Sequence, residues 1–92
     1  MITSVYALSA SESIPIAGRA IVAVSVNNGS SAAQTVRIWR GESAVGALIL
    51  EISVPPQDHR TVVFDEGLLI PDTVFVEIPV SSVRVFLFVK AV

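Results

Sequence analysis

The sequence predicts an all-β protein, an antiparallel β-sandwich of jelly-roll or immunoglobulin-like type in a single domain. Three observations predict it. Segments in which apolar and polar residues alternate recur roughly every 8–14 residues, giving about seven strands. Glycine, proline, asparagine and serine punctuate the gaps between them. No two segments carry the apolar spacing of a pair of packed helices, which leaves a sandwich or small barrel.

Ile2 to Leu8 is the first strand candidate, with Ile2, Val5, Tyr6 and Leu8 apolar. Ser9 to Ser13 is small and polar and reads as a turn or linker, and Pro15 then imposes an extended conformation on the residue before it. Residues 1–15 are therefore either an edge strand or an arm that leaves the domain, and residues 16–92 form the sandwich. Arg19 to Asn27 alternates, with Val22, Val24 and Val26 expected on one face and Ile21, Ala23 and Ser25 on the other. Asn28-Gly29 tolerates positive φ and signals a turn, lengthened by Ser30 to Ala33.

Gln34 to Arg40 follows, with Val36 and Ile38 opposed to Thr35, Arg37 and Trp39. A loop bracketed by Gly41 and Gly46 leads to Ala47–Val54, where two readings compete. Val45, Leu48, Ile49 and Ile52 have helical spacing, whereas Leu48, Leu50, Ile52 and Val54 have strand spacing. Strand is preferred, because Gly46 would fall in the first helical turn, no good N-cap stands in register, and Pro55-Pro56 ends the run abruptly.

Gln57-Asp58-His59 reads as a polar turn, and Arg60 to Phe64 as a strand with Val62 and Phe64 facing together. Asp65-Glu66-Gly67 is expected to break it before the short apolar run Leu68-Leu69-Ile70, which Pro71-Asp72 ends. Thr73 to Ile78 alternates up to Pro79. Val83 to Val89 closes the chain with Val83, Val85, Leu87 and Val89 on one face and Arg84, Phe86, Phe88 and Lys90 on the other. Because the connections are short, most sequential strands are expected to pair.

Composition narrows the partners. Of 92 residues, 52% are hydrophobic and only 15% charged, against about 25% charged in an ordinary soluble domain. That shortfall implies a surface covered in part by other protein. Cysteine is absent, which removes disulfides, and a single histidine without cysteine removes the usual structural zinc sites. Arg19, Arg37, Arg40, Arg84 and Lys90 interrupt the apolar runs well short of the ~20 residues of a membrane helix. The segment MITSVYALSASES lacks the basic and apolar regions of a signal peptide, so synthesis and assembly in a cytoplasm are expected. A net charge of -2 without a basic patch argues against nucleic acid.

No constellation for catalysis, metal or cofactor stands out, and the chain reads as having no enzymatic activity. His59 with Asp58, Asp65, Glu66 and Asp72 lacks the ligand spacing of a calcium or zinc site. One histidine in a turn does not make a Ser-His-Asp arrangement. Trp39 shares a face with Arg37 and Thr35, as a half-buried aromatic or as a platform for carbohydrate. Phe86 and Phe88, fenced by Arg84 and Lys90, are either buried inside a closed barrel or exposed as an association anchor. The residues expected to meet a partner are Ile2, Val5, Tyr6 and Leu8 in the N-terminal segment, Trp39, and the pair Phe86 and Phe88.

Two phrases carry a family resemblance. AIVAVSVNNGSSAAQTVRIWRGESAVGALI presents a strand, an Asn/Ser turn, a TV-aromatic strand leading to glycine, and a Ser/Ala/Gly loop ending in GALI. ISVPPQDHRTVVFDEGLLIPDTVFVEI adds a VP turn, TVVF and a glycine, and an apolar return strand. From Arg19 to about Val89 the chain resembles the small β-sandwich structural proteins of tailed bacteriophages. It departs from them in Pro55-Pro56 and Asp58-His59, and in its N-terminal extension. The resemblance implies a virion component with no enzymatic role and no cofactor, best matched by a capsid decoration or cement protein. Such a protein would sit on the capsid surface, bind the major capsid protein, and form a homo-oligomer, trimer or dimer. A head–tail or tail accessory protein is the alternative within that class. A carbohydrate- or receptor-binding module, resting on Trp39 and Tyr6, is the alternative outside it.

Overall fold

The computed structural model describes residues 4–70 and 72–92, and among these the chain is all β with no helix. Ile2 and Pro71 lie outside the described residues. Eight strands form: β1 (Ser4–Leu8), β2 (Glu12–Pro15), β3 (Arg19–Asn28), β4 (Gln34–Arg40), β5 (Ala47–Val54), β6 (Asp58–Leu69), β7 (Thr73–Glu77) and β8 (Val83–Ala91). They make two four-stranded antiparallel sheets, one ordered β1-β8-β3-β6 (sheet A) and the other β2-β7-β4-β5 (sheet B).

The pairing is nested. β1 pairs with β8, β2 with β7, β3 with β6 and β4 with β5, as in one long hairpin, and β3–β8 and β4–β7 contacts roll that hairpin into two layers. This is jelly-roll topology, which selects between the two sandwich types the sequence allowed. It also corrects the expectation that sequential strands pair. Among the described residues β4 and β5 alone do so, because every other connection crosses from one sheet to the other. The hairpin of Gln34 to Val54 is the innermost turn of the roll, and its second arm is strand throughout.

The eighth strand, absent from the sequence reading, is Glu12–Pro15. Its serine-rich surroundings hide the alternation, but Ile14 is buried, as is Ile16 just beyond it. Ser11 anchors the crossing from β1: its hydroxyl accepts the Ile78 N–H at 2.8 Å. Asp58 and His59, read as a turn, begin β6, and Gln57 takes the positive φ instead (55°). Asp65-Glu66-Gly67 does not end β6 but forms a bulge in it. Opposite, Ile21 pairs with Leu68 and Ala23 with Val63, so Phe64–Gly67 face the single residue Val22. The bulge shifts β3 in register, and Ile21, not Val22, joins Val24 and Val26 in the core.

The core lies between the sheets. Val83, Val85, Leu87 and Val89 of β8 are fully buried against Val36 and Ile38 of β4, Val74 and Val76 of β7, and Ile52 and Val54 of β5. These are β-branched residues and one leucine at period two, which pack well on pleated faces. Among the described residues one polar side chain is buried in this interior, that of Asn28. Two glycines are required by geometry. A Cβ on Gly46 would collide with the Arg40 carbonyl across the β4–β5 loop. Gly67, at φ 83°, would bring a Cβ to 2.9 Å from the Ala20 Cβ. Gly46→Ala is therefore expected to lower stability by about 1–3 kcal/mol, measurable as a lower urea midpoint with an unchanged slope.

Candidate functional site

The register of sheet A sets out its outer face residue by residue. β8 turns its valines and Leu87 inward, so Arg84, Phe86, Phe88 and Lys90 face out, with both rings half-buried. Across the strands, Val5, Phe88, Ala23 and Val63 form one row, and Ala7, Phe86, Ser25 and Thr61 form the next. Val5 and Val63 at the two edges are 51% and 64% exposed. In the second row the Thr61 hydroxyl donates to Ser25 Oγ at 3.1 Å. The face is thus largely apolar, with two aromatic rings along its middle.

One row further, Arg84, Asn27 and His59 align. With Asp58, Gln57, Gly29 and Ser82 they line an open polar groove of about 370 Å³ at the end of the sheet. His59 Nδ1 lies 3.9 Å from Asp58 Oδ1, both exposed. The Arg84 side chain has no hydrogen bond or ion pair to any described residue. Among the described residues no three His, Asp or Glu side chains converge as metal ligands would.

Sheet B differs. Its outer polar groups satisfy one another: Arg37 pairs with Glu51 at 2.7 Å, Thr35 Oγ1 and Ser53 Oγ lie 3.1 Å apart, and Trp39 Nε1 donates to Glu77 Oε1 at 2.9 Å. Phe75 and Leu48 flank Trp39 in register. The exposed Arg37–Glu51 pair contributes at most about 1 kcal/mol.

The residues expected from sequence to meet a partner therefore separate. Val5, Phe86 and Phe88 come together on sheet A. Trp39 lies on the opposite side of the molecule. Leu8 belongs to the core, and Tyr6, whose hydroxyl accepts from the Arg19 guanidinium, packs half-buried against it, so neither shares the outer face with Val5. The reason is parity: in β1 alternate residues face the other sheet, and Tyr6 and Leu8 share the inward set.

No protein-family model matches the chain, and no curated protein or solved structure does either.

The sequence reading had passed over Val63, Ala23 and the groove. Val63 was accessible to it, since Val62 and Phe64 facing inward leaves Val63 outward. The groove was not, because it joins residues from β3, β6 and the β7–β8 loop that only the rolled topology brings together. The accessible surface, 5004 Å², is close to the ~5,100 Å² of a compact monomer of this mass. The scarcity of charge is therefore expressed on an ordinary surface.

Proposed function

We propose that this chain is a virion structural protein of a tailed bacteriophage, a capsid decoration or cement protein that binds and stabilises the mature shell. The observation that carries the reading is the outer face of sheet A, where Val5, Phe86, Phe88 and Val63 lie together beside Arg84, which has no hydrogen bond or ion pair to any described residue. Exposed apolar patches of this kind mark association surfaces. The sequence phrases that resemble phage structural proteins supply the class. The jelly roll adds only an analogy, since folds of this type serve many functions.

The mechanism is mechanical. A protein that binds the expanded shell and not its immature form stabilises the expanded form by mass action. No chemistry is required of any residue, and the partner is the major capsid protein at the capsid surface, after assembly in the host cytoplasm. Shells stripped of the protein are expected to lose resistance to heat, and adding it back should restore that resistance. Shells indifferent to its removal would overturn the reading. Copy number separates the shell from a head–tail or tail position: hundreds of copies per particle place it on the shell, about six or twelve on the tail, following the ring symmetry of such parts.

The polar groove favours a second reading, a carbohydrate- or receptor-binding module centred on Arg84 and Asn27 instead of Trp39. Glycan-array binding lost on Arg84→Ala and kept on Trp39→Ala would support it, and absence of glycan binding would retire it.

A further inference from the structure

We propose that the outer face of sheet A is occupied by a second copy of this chain, in a two-fold dimer whose axis runs parallel to the strands between β8 and β3. This rests on the proposed function and deepens it: a decoration protein read as a homo-oligomer shares the association face of sheet A between its own copies, and the dimer meets the shell through its other surfaces.

Other surfaces are less suited. Three of the four free edges are blunted: β2 is four residues long with Pro15 exposed, β5 carries Glu51 and a register shift opposite Ile38/Trp39, and β6 carries the Asp65-Glu66-Gly67 bulge; the fourth, β1, is five residues long. The outer polar groups of sheet B already pair among themselves.

Sheet A is complementary to itself in shape. Its two central strands present unequal columns outward, large on β8 (Phe86 and Phe88) and small on β3 (Ser25 and Ala23), in the same rows. A two-fold axis along the strands keeps each row and exchanges the columns. Phe88 then lies over the partner copy's Ala23, and Phe86 over the partner copy's Ser25. Val5 meets the partner copy's Val63, both more than half exposed in the single chain. Arg84 meets the partner copy's Asn27, a neutral hydrogen-bond acceptor, and no like charges are opposed. The same operation on sheet B would place Phe75 over the partner copy's Trp39, large against large. An axis across the strands of sheet A would instead set Arg84 against the partner copy's Lys90, which share β8.

The patch is modest. Four strands about 4.8 Å apart and six residues of about 3.3 Å give roughly 400 Å² per copy in projection, below the range of stable specific interfaces and in that of weak, transient ones. The dimer is accordingly concentration-dependent, and is to be sought at about 0.5 mM.

Sedimentation of the full chain is expected to show a species of twice the 9.7 kDa chain mass at that concentration. Ala23→Leu, which fills the slot, and Val63→Asp should each weaken it roughly tenfold or more, with unchanged circular dichroism. A disulfide test reads the symmetry, and the chain has no native cysteine to confuse it. Val5 and Val63 lie on opposite edges of one sheet, about 14 Å apart at three strand spacings, too far for an internal bridge. With oxidised glutathione as oxidant, the Val5→Cys/Val63→Cys variant should form covalent dimers, and either single variant should not. A chain monomeric at 0.5 mM, a dimer indifferent to Ala23→Leu and Val63→Asp, or single variants that cross-link as readily as the double variant would each overturn the proposal. Shell stability decides the capsid reading separately.

Discussion

Asn28→Ala lowers the stability of this domain by about 3 kcal/mol, a large share of the roughly 5–14 kcal/mol available to 92 residues. The side chain is 2% exposed and serves two connections at once. Its Nδ2 donates to the carbonyls of Ala32 at 2.9 Å, Val54 at 3.1 Å and Pro55 at 3.1 Å. Its Oδ1 accepts the Ser30 N–H at 2.9 Å and the Ser30 hydroxyl at 2.7 Å. Alanine leaves the Val54 carbonyl without this donor in a buried position and removes the part-buried bonds to Ala32, Pro55 and the Ser30 N–H, and removing one member of a buried set costs more than the set itself contributes. The link between β3 and β4 and the turn between β5 and β6 loosen together. For a domain of this size the melting temperature falls by about 12–24 °C. Asn27→Ala, one residue away but exposed, changes stability by less than about 0.5 kcal/mol. Urea unfolding of both variants with unchanged slopes checks the pair. Equal effects would show that the network does not hold the two connections.

Leu87→Ala is expected to cost about 2–5 kcal/mol, because the side chain is completely buried at the middle of β8 and the tightly packed strands around it cannot close the cavity. The upper end equals the whole stability of a domain at the bottom of the roughly 5–14 kcal/mol range. Phe88→Ser, the next residue along, removes a larger side chain yet costs only about 1–1.5 kcal/mol, since its ring is half-buried on the outer face. Denaturation midpoints of the two variants measure the contrast. A Phe88→Ser variant less stable than Leu87→Ala would place the ring in the core and remove the association face.

These two results sample different depths of legibility. The inward set of β8 was readable because Val83, Val85, Leu87 and Val89 alternate with Arg84 and Lys90, and period two leaves no other arrangement once one face is buried. The β4–β5 hairpin was readable for the same reason, aided by the glycines of its loop. β3 was misread in one place, since Ile21 and Val22 are equally apolar and nothing local signals a bulge whose other half is Phe64–Gly67, some forty residues on. Asn28 was read as a turn former for its tolerance of positive φ. It is instead the last residue of β3, and its amide is valuable for reaching three carbonyls from two other connections.

The candidate site divides in the same way. Phe86 and Phe88 declared themselves as aromatic residues out of phase with an apolar strand. Val5, Val63 and Ala23 have no such mark. They become neighbours only because β1 and β3 both pair with β8 and β6 pairs with β3. Tyr6 and Leu8 were grouped with Val5 by proximity in sequence, and parity in β1 divides them.

The sequence by itself determined that this chain is all β, which residues of most strands face inward, and that the hairpin from Gln34 to Val54 is a unit. Those properties follow from local alternation and from turn residues, which act over a few positions. Only the tertiary structure decided that the strands nest around that hairpin as a jelly roll, that β3 slips by one residue, and which outward residues share a row. Those depend on pairings between distant strands, where free energy comes from burial between two sheets and no residue's own preference records its partner.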